Sequence, residues 1–136
     1  LAPSSVENQH PDHALLGSLV RDATRLARYG GLAELRAQAA HIVDQLFFYA
    51  ITAEAEPKDI TPVIINISAP EIIATWITSM NTHLSQLASR NYVELQLARA
   101  RLLGERAGVE YAMALFSNDP LVFDSIAEVG RGARSY

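Results

Sequence analysis

Apolar residues along this chain recur mostly at three- and four-residue spacing, the period of an α-helix. Leu15, Leu16, Leu19, Ala23, Leu26 and Ala27 predict a first helix over residues 12–29, closed by Gly30-Gly31. Leu35, Ala39, Ile42, Leu46, Ala50 and Ala53 predict a second over residues 32–55, stopped by Pro57. The same segment carries a second seam, in which Ala37, His41, Asp44, Phe48, Ile51 and Ala55 follow one another at spacings of 4, 3, 4, 3 and 4. From Gln45 to Ala53, "QLFFYAITA", there is no charge at any angle, and a helix that is apolar all round is buried all round.

"VIINI", residues 63–67, is β-branched and short. It has no obvious partner strand, so it reads as a connector. Ser68-Ala69-Pro70-Glu71 then has the form of a capping box, with serine as N-cap, proline in the first turn and glutamate at N3. Helical spacing continues through Trp76, Met80, Leu84, Leu87, Leu95, Leu102, Val109 and Phe116. This predicts one long helix over residues 69–117, roughly 70 Å from end to end. The alternative is two helices meeting near residue 90, where Asn91 can open a new cap in "NYVE". "SNDP" at residues 117–120 restarts the chain into a short helix over residues 121–129. The expected fold is therefore all-α, a bundle of about four to five helices. Its single domain spans residues 12–130, between flexible tails at 1–11 and 131–136.

Two glycines four apart are costly inside the long helix, at roughly 1 kcal/mol each relative to alanine. Gly104 and Gly108 align with Leu97, Tyr111 and Leu115 on a side of the helix away from its main stripe, which predicts a second packing face. Charge supports buried or covered faces, because Glu71 is the only charged residue between Ile60 and Ser89. The interface candidates are Phe47, Phe48, Ile51, Trp76, Leu97, Gly104, Gly108, Tyr111 and Leu115. On this reading Phe48→Glu leaves the chain helical and dissociates it.

Composition narrows the function classes. With 136 residues, 49% of them apolar and 19% charged, the chain can bury a core as one domain. It contains no cysteine, which removes disulfides, thiolate metal sites and cysteine nucleophiles. A net charge of −4 argues against nucleic acid as a main partner. No uninterrupted apolar run is long enough to span a membrane. The chain begins at Leu1, which fits a trimmed or processed product. The compartment is left open, with the cytoplasm favoured over export.

Chemistry is sparsely signalled. There is no G-x-S-x-G elbow, no P-loop and no dinucleotide fingerprint. His10-Pro11-Asp12-His13 groups three ligand types in four residues, but reads as a solvated helix start. His41 and Asp44, three apart on one predicted face, form a polar seam with His83 and would make a metal site only if all three converged. Arg99, Arg101 and Arg106 alternate with Glu94, Glu105 and Glu110 as a mixed solvated face. No catalytic residue, metal ligand or cofactor is assigned, and the chain is not expected to be an enzyme. The expected role is a non-catalytic helical structural or adaptor protein. It would self-associate or dock into a larger protein assembly, such as a secretion-system, phage or chaperone-like component. One alternative is a small-molecule-binding bundle around an apolar cavity, and a second is a helical metalloprotein.

Overall fold

Phe47-Phe48-Tyr49 is a strand, and that one assignment overturns the all-α bundle. The computed structural model describes residues 1–84 and 91–133 and shows a mixed α/β fold. In chain order its elements are β1 (Ala2–Pro3), α1 (Pro11–Ala27), β2 (Phe47–Tyr49), β3 (Val63–Asn66), α2 (Pro70–Asn81), α3 (Tyr92–Ala107) and β4 (Ala112–Ser117). Short 3₁₀ turns cover Ala33–Leu35, Ala53–Ala55 and Ile126–Glu128. The strands form one four-stranded sheet in the order β1-β2-β4-β3. β1 runs parallel to β2, and β2 runs antiparallel to β4, with Phe48 opposite Phe116.

Each departure from the helical expectation has a local cause. The predicted helix over residues 32–55 is a 3₁₀ turn, an irregular stretch and then β2. A short apolar run fits a strand as well as a buried helix turn, and consecutive aromatics favour the pleated surface. The helical seam from Ala37 to Ala55 therefore does not exist, and Phe48 is a core residue at 8% exposure. Phe48→Glu would place a carboxylate inside the sheet core, not on a helix interface. The first part of the predicted long helix, α2, ends at Asn81, and its last portion, Ala112–Ser117, is β4. The expected stripe position Leu87 and the end of the expected C-terminal tail, residues 134–136, lie outside the described residues. "VIIN" is β3, and its partner is the segment that helical spacing had claimed. Asn91 does cap a new helix, its side-chain oxygen accepting from the Glu94 N–H at 3.2 Å. Ser68 does not cap α2. Its hydroxyl accepts from the Tyr111 N–H at 2.9 Å and donates to the Tyr111 carbonyl at 3.2 Å, fastening the approach to α2 onto the approach to β4. The helix expected over residues 121–129 shrinks to the 3₁₀ turn Ile126–Glu128.

Two compact units divide the chain: residues 1–63 with 115–122, and residues 64–114 with the segment from Phe123 onward. The core of the first contains Ala2, Leu46, Phe48, Ala55 and Phe116. Burying each phenylalanine contributes roughly 1.5–3 kcal/mol. The core of the second contains Ile67, Met80, Ala100, Ala107 and Ala112, and the small buried residues of α3, Ala100, Gly104 and Ala107, let it lie close to its neighbours. In the first unit α1 turns its expected core stripe outward, with Leu15, Leu19 and Leu26 about half exposed or more. The side it buries is that of Gly17, because a Cβ there would collide with the Pro3 carbonyl oxygen. Close approach to the β1 backbone thus selects which face of α1 points inward. Among the described residues no helix is long and apolar enough to cross a membrane.

The glycine pair of α3 belongs to a turn. Gly108 adopts φ +65°, the left-handed conformation that ends a helix. Its N–H donates to the Glu105 carbonyl at 3.4 Å, and the next N–H, of Val109, donates to the Gly104 carbonyl at 3.0 Å, the paired bonds of a Schellman motif. The chain then folds back over Gly104, where a Cβ would lie 2.5 Å from the Glu110 carbonyl oxygen. Arg131 completes the cap by donating to the Ala107 carbonyl at 2.6 Å, a cation placed at the negative end of the helix. Gly104→Ala should therefore destabilise by about 1–3 kcal/mol through overpacking, and Gly108→Ala by about 1 kcal/mol through the left-handed backbone. Urea unfolding of both variants measures this. A neutral or stabilised Gly104→Ala would contradict the close return of the chain.

Candidate metal centre

The segment between β1 and α1 is short, polar and tightly pinned. Ser4 is 1% exposed; its N–H donates to the Tyr49 carbonyl at 2.8 Å and its hydroxyl accepts from the Val6 N–H at 3.2 Å. Three residues on, Glu7 is 5% exposed, the one charged side chain buried among the described residues. One carboxylate oxygen accepts from the N–H groups of Asn8 at 3.0 Å and Gln9 at 2.8 Å, and the other accepts from the Thr52 hydroxyl at 3.1 Å. Burial alone pushes this carboxyl up. The opposing bonds, led by the Gln9 N–H and the Thr52 hydroxyl, outweigh it, and the net position lies below the usual glutamate value.

The turn delivers the chain into α1. His10 is the N-cap residue but makes no side-chain capping bond, so its imidazole is left for other partners. Pro11 occupies the first helical position, where its fixed φ is compatible and its missing N–H costs nothing. Asp12 and His13 follow within the first turn, and the His13 N–H bonds the His10 carbonyl at 3.0 Å. The two imidazoles stand 5.0 Å apart between centroids, tilted by 45°. Asp12 Oδ2 lies 3.9 Å from His13 Nε2. One ligand atom from each of His10, Asp12 and His13 can be chosen so that all lie within 4.8 Å of one another. His13 Nδ1 is buried and has no hydrogen-bond partner.

These donors suit a borderline divalent ion such as zinc, which takes imidazole nitrogen and carboxylate oxygen at about 2.0–2.2 Å. Tetrahedral ligands at that radius are about 3.4 Å apart, so side-chain rotations of about 1 Å would close the set. One effect opposes a cation here, since the N-terminus of α1 carries partial positive charge. That effect is worth about 1 kcal/mol at an exposed site, and ligation by two imidazoles and a carboxylate has to exceed it.

The remaining candidates are distributed differently. His41 and Asp44 are exposed in the irregular stretch before β2, where the His41 N–H bonds the last carbonyl of α1, that of Ala27, at 2.8 Å. They share no helix face, and His83, exposed after α2, belongs to the other unit. Phe47 flanks Phe48 in β2, Ile51 is half-buried just beyond it, and Leu115 pairs with Tyr49 across the β2–β4 ladder. Leu97 is half-buried on α3. Tyr111 bonds Ser68 through its backbone, and its hydroxyl lies 2.6 Å from the Arg101 guanidinium. Trp76 lines an apolar cavity of about 490 Å³ with Ile67, Ile72 and Met113. A second, more polar cavity of about 530 Å³ lies against the Glu7 turn, lined also by Asn8, Glu54, Glu56, Lys58 and Asp59. Glu7 was not among the expected site residues, and its pairing with Thr52 across 45 residues leaves no local signal. The ligand set did have one, two histidines and an aspartate within four residues around a helix-starting proline.

No protein-family model matches the sequence. The fold is similar to the crystal structure of the conserved protein TT1542 from Thermus thermophilus, with a TM-score of 0.71 and 25% sequence identity. The match covers 96% of this chain and 54% of that one, so the chain spans about half the length of the solved structure. This likeness agrees with the mixed α/β architecture.

The lowered Glu7 pKa has a definite consequence for stability. A carboxylate depressed in the folded state stabilises it above the ordinary carboxylate range, and the contribution is lost as pH falls through the folded value. The Tm difference between the wild type and Glu7→Gln is therefore expected to be full near about pH 7 and to shrink at pH values below about 4.3. Thermal melts across that range check this. A difference that is independent of pH would contradict the assignment.

Proposed function

We propose that this protein binds a divalent transition-metal ion, zinc in the first instance, through His10, Asp12 and His13. The observation that carries this reading is the convergence of three ligand atoms within 4.8 Å at the start of α1. The approach of His13 Nε2 to Asp12 Oδ2, 3.9 Å, adds support. Three protein ligands leave a coordination position open, the pattern of zinc sites that activate a water molecule. Metal-assisted hydrolysis is the reaction class that this donor set supports.

The adaptor reading has lost its main support, because the helical seam it relied on is not formed. One observation favours a second reading, the binding of an apolar small molecule. The cavity around Trp76, Ile67, Ile72 and Met113 has Thr75 and Ser79 on its wall as polar contacts.

Calorimetric titration with zinc alone tests the metal reading. One saturable site per chain is expected, weakened at least tenfold in His10→Ala and in His13→Ala. Saturable binding that survives unchanged in the double His10→Ala/His13→Ala variant, or no saturable binding by the wild type, overturns it.

A further inference from the structure

A buried carboxylate needs a reason. Removing Glu7 from water opposes its charge, and an apolar residue of similar volume would avoid that cost. Its oxygens accept from Asn8 N–H, Gln9 N–H and the Thr52 hydroxyl, neutral groups of two chain segments and not an opposite charge. Two of those bonds close the turn that ends at His10, and the third ties this turn to the segment after β2. The other end of the assembly is fixed as well. Gly17, on the second turn of α1, lies so close to the Pro3 carbonyl and the Ser5 N–H that a Cβ there would collide, which places α1 directly on the β1 backbone. Asp12 and His13 move with α1, whereas His10 is the junction between α1 and the turn. Its carbonyl is bonded by the His13 and Ala14 N–H groups of α1, and its approach follows the backbone path of residues 7–10, whose turn Glu7 closes.

We infer that Glu7, clamped by Thr52, is a positioning residue for the metal centre and holds the turn that delivers His10 to Asp12 and His13. This rests on the metal reading above. Glu7 is not one of the three ligands and acts through backbone geometry, since its partners are the Asn8 and Gln9 N–H groups and the Thr52 hydroxyl. An amide at this position keeps an acceptor for the turn and a group able to bond Thr52, so glutamine should substitute where alanine cannot.

Zinc titration of the full chain tests the inference with four proteins. Glu7→Ala is expected to bind zinc about tenfold more weakly than the wild type, the lower end of what outer-shell partners of metal ligands contribute. Glu7→Gln should recover to within about threefold, because the acceptor geometry is kept. Gly104→Ala, destabilised within the other unit, should bind zinc as the wild type does, which separates positioning from loss of general stability. Glu7→Ala binding with wild-type affinity overturns the positioning role while leaving the metal reading intact. Equal weakening in Glu7→Ala and Gly104→Ala overturns it as well, by assigning the effect to stability. A wild type that binds no zinc overturns both.

Discussion

Everything in the first unit depends on how closely α1 lies on β1. Gly17 faces the Pro3 carbonyl with no room for a Cβ, and that contact decides which face of α1 is buried. A side chain at position 17 would lift α1 away from the two-residue strand and loosen the histidine pair with it. The site is built outward from this contact. A strand is held by Tyr49, a turn is closed by Ser4 and Glu7, a proline starts the helix, and three ligand-type side chains lie within one helical turn.

At two points opposing effects meet. Desolvation raises the Glu7 carboxyl, and the combined acceptor bonds lower it further than burial raises it. The result is a charged group at the base of the turn at neutral pH. The positive end of α1 disfavours a cation, and ligation by two imidazoles and a carboxylate has to exceed that effect. The helix start can therefore present both a carboxylate, which the dipole favours, and imidazoles, which a metal would draw inward.

Much of the helical content is legible from residue spacing. α1 follows from periodicity, whereas α3 is the later part of a helix expected to run over residues 69–117, and only the alternative break at Asn91 marks its start. The strands are not legible, for a physical reason. β2, β3 and β4 are three to six residues long, and an apolar run of that length fits either period. "VIIN" lacked a visible partner because its neighbour, "AMALFS", continued the spacing of the preceding helix. Gly108 was legible as an anomaly, but its cause, a left-handed cap and a chain folding back over Gly104, depends on residues beyond the helix. The stripe of α1 was read correctly as a stripe and assigned the wrong side, since a tight backbone contact at one glycine outweighed it. Of the site, the three ligand-type side chains were visible as residue types within one turn of α1, whereas the bond between Glu7 and Thr52 beneath them spans 45 residues and no local pattern announces it.

The most direct test of the central claim is the position of the metal itself, read from anomalous scattering at the zinc edge in crystals of the full chain grown with zinc. One strong peak is expected at the start of α1, bonded to His10, Asp12 and His13 at about 2.0–2.2 Å. A peak placed instead at His41, Asp44 or His83, or no ordered zinc at the start of α1, would contradict it.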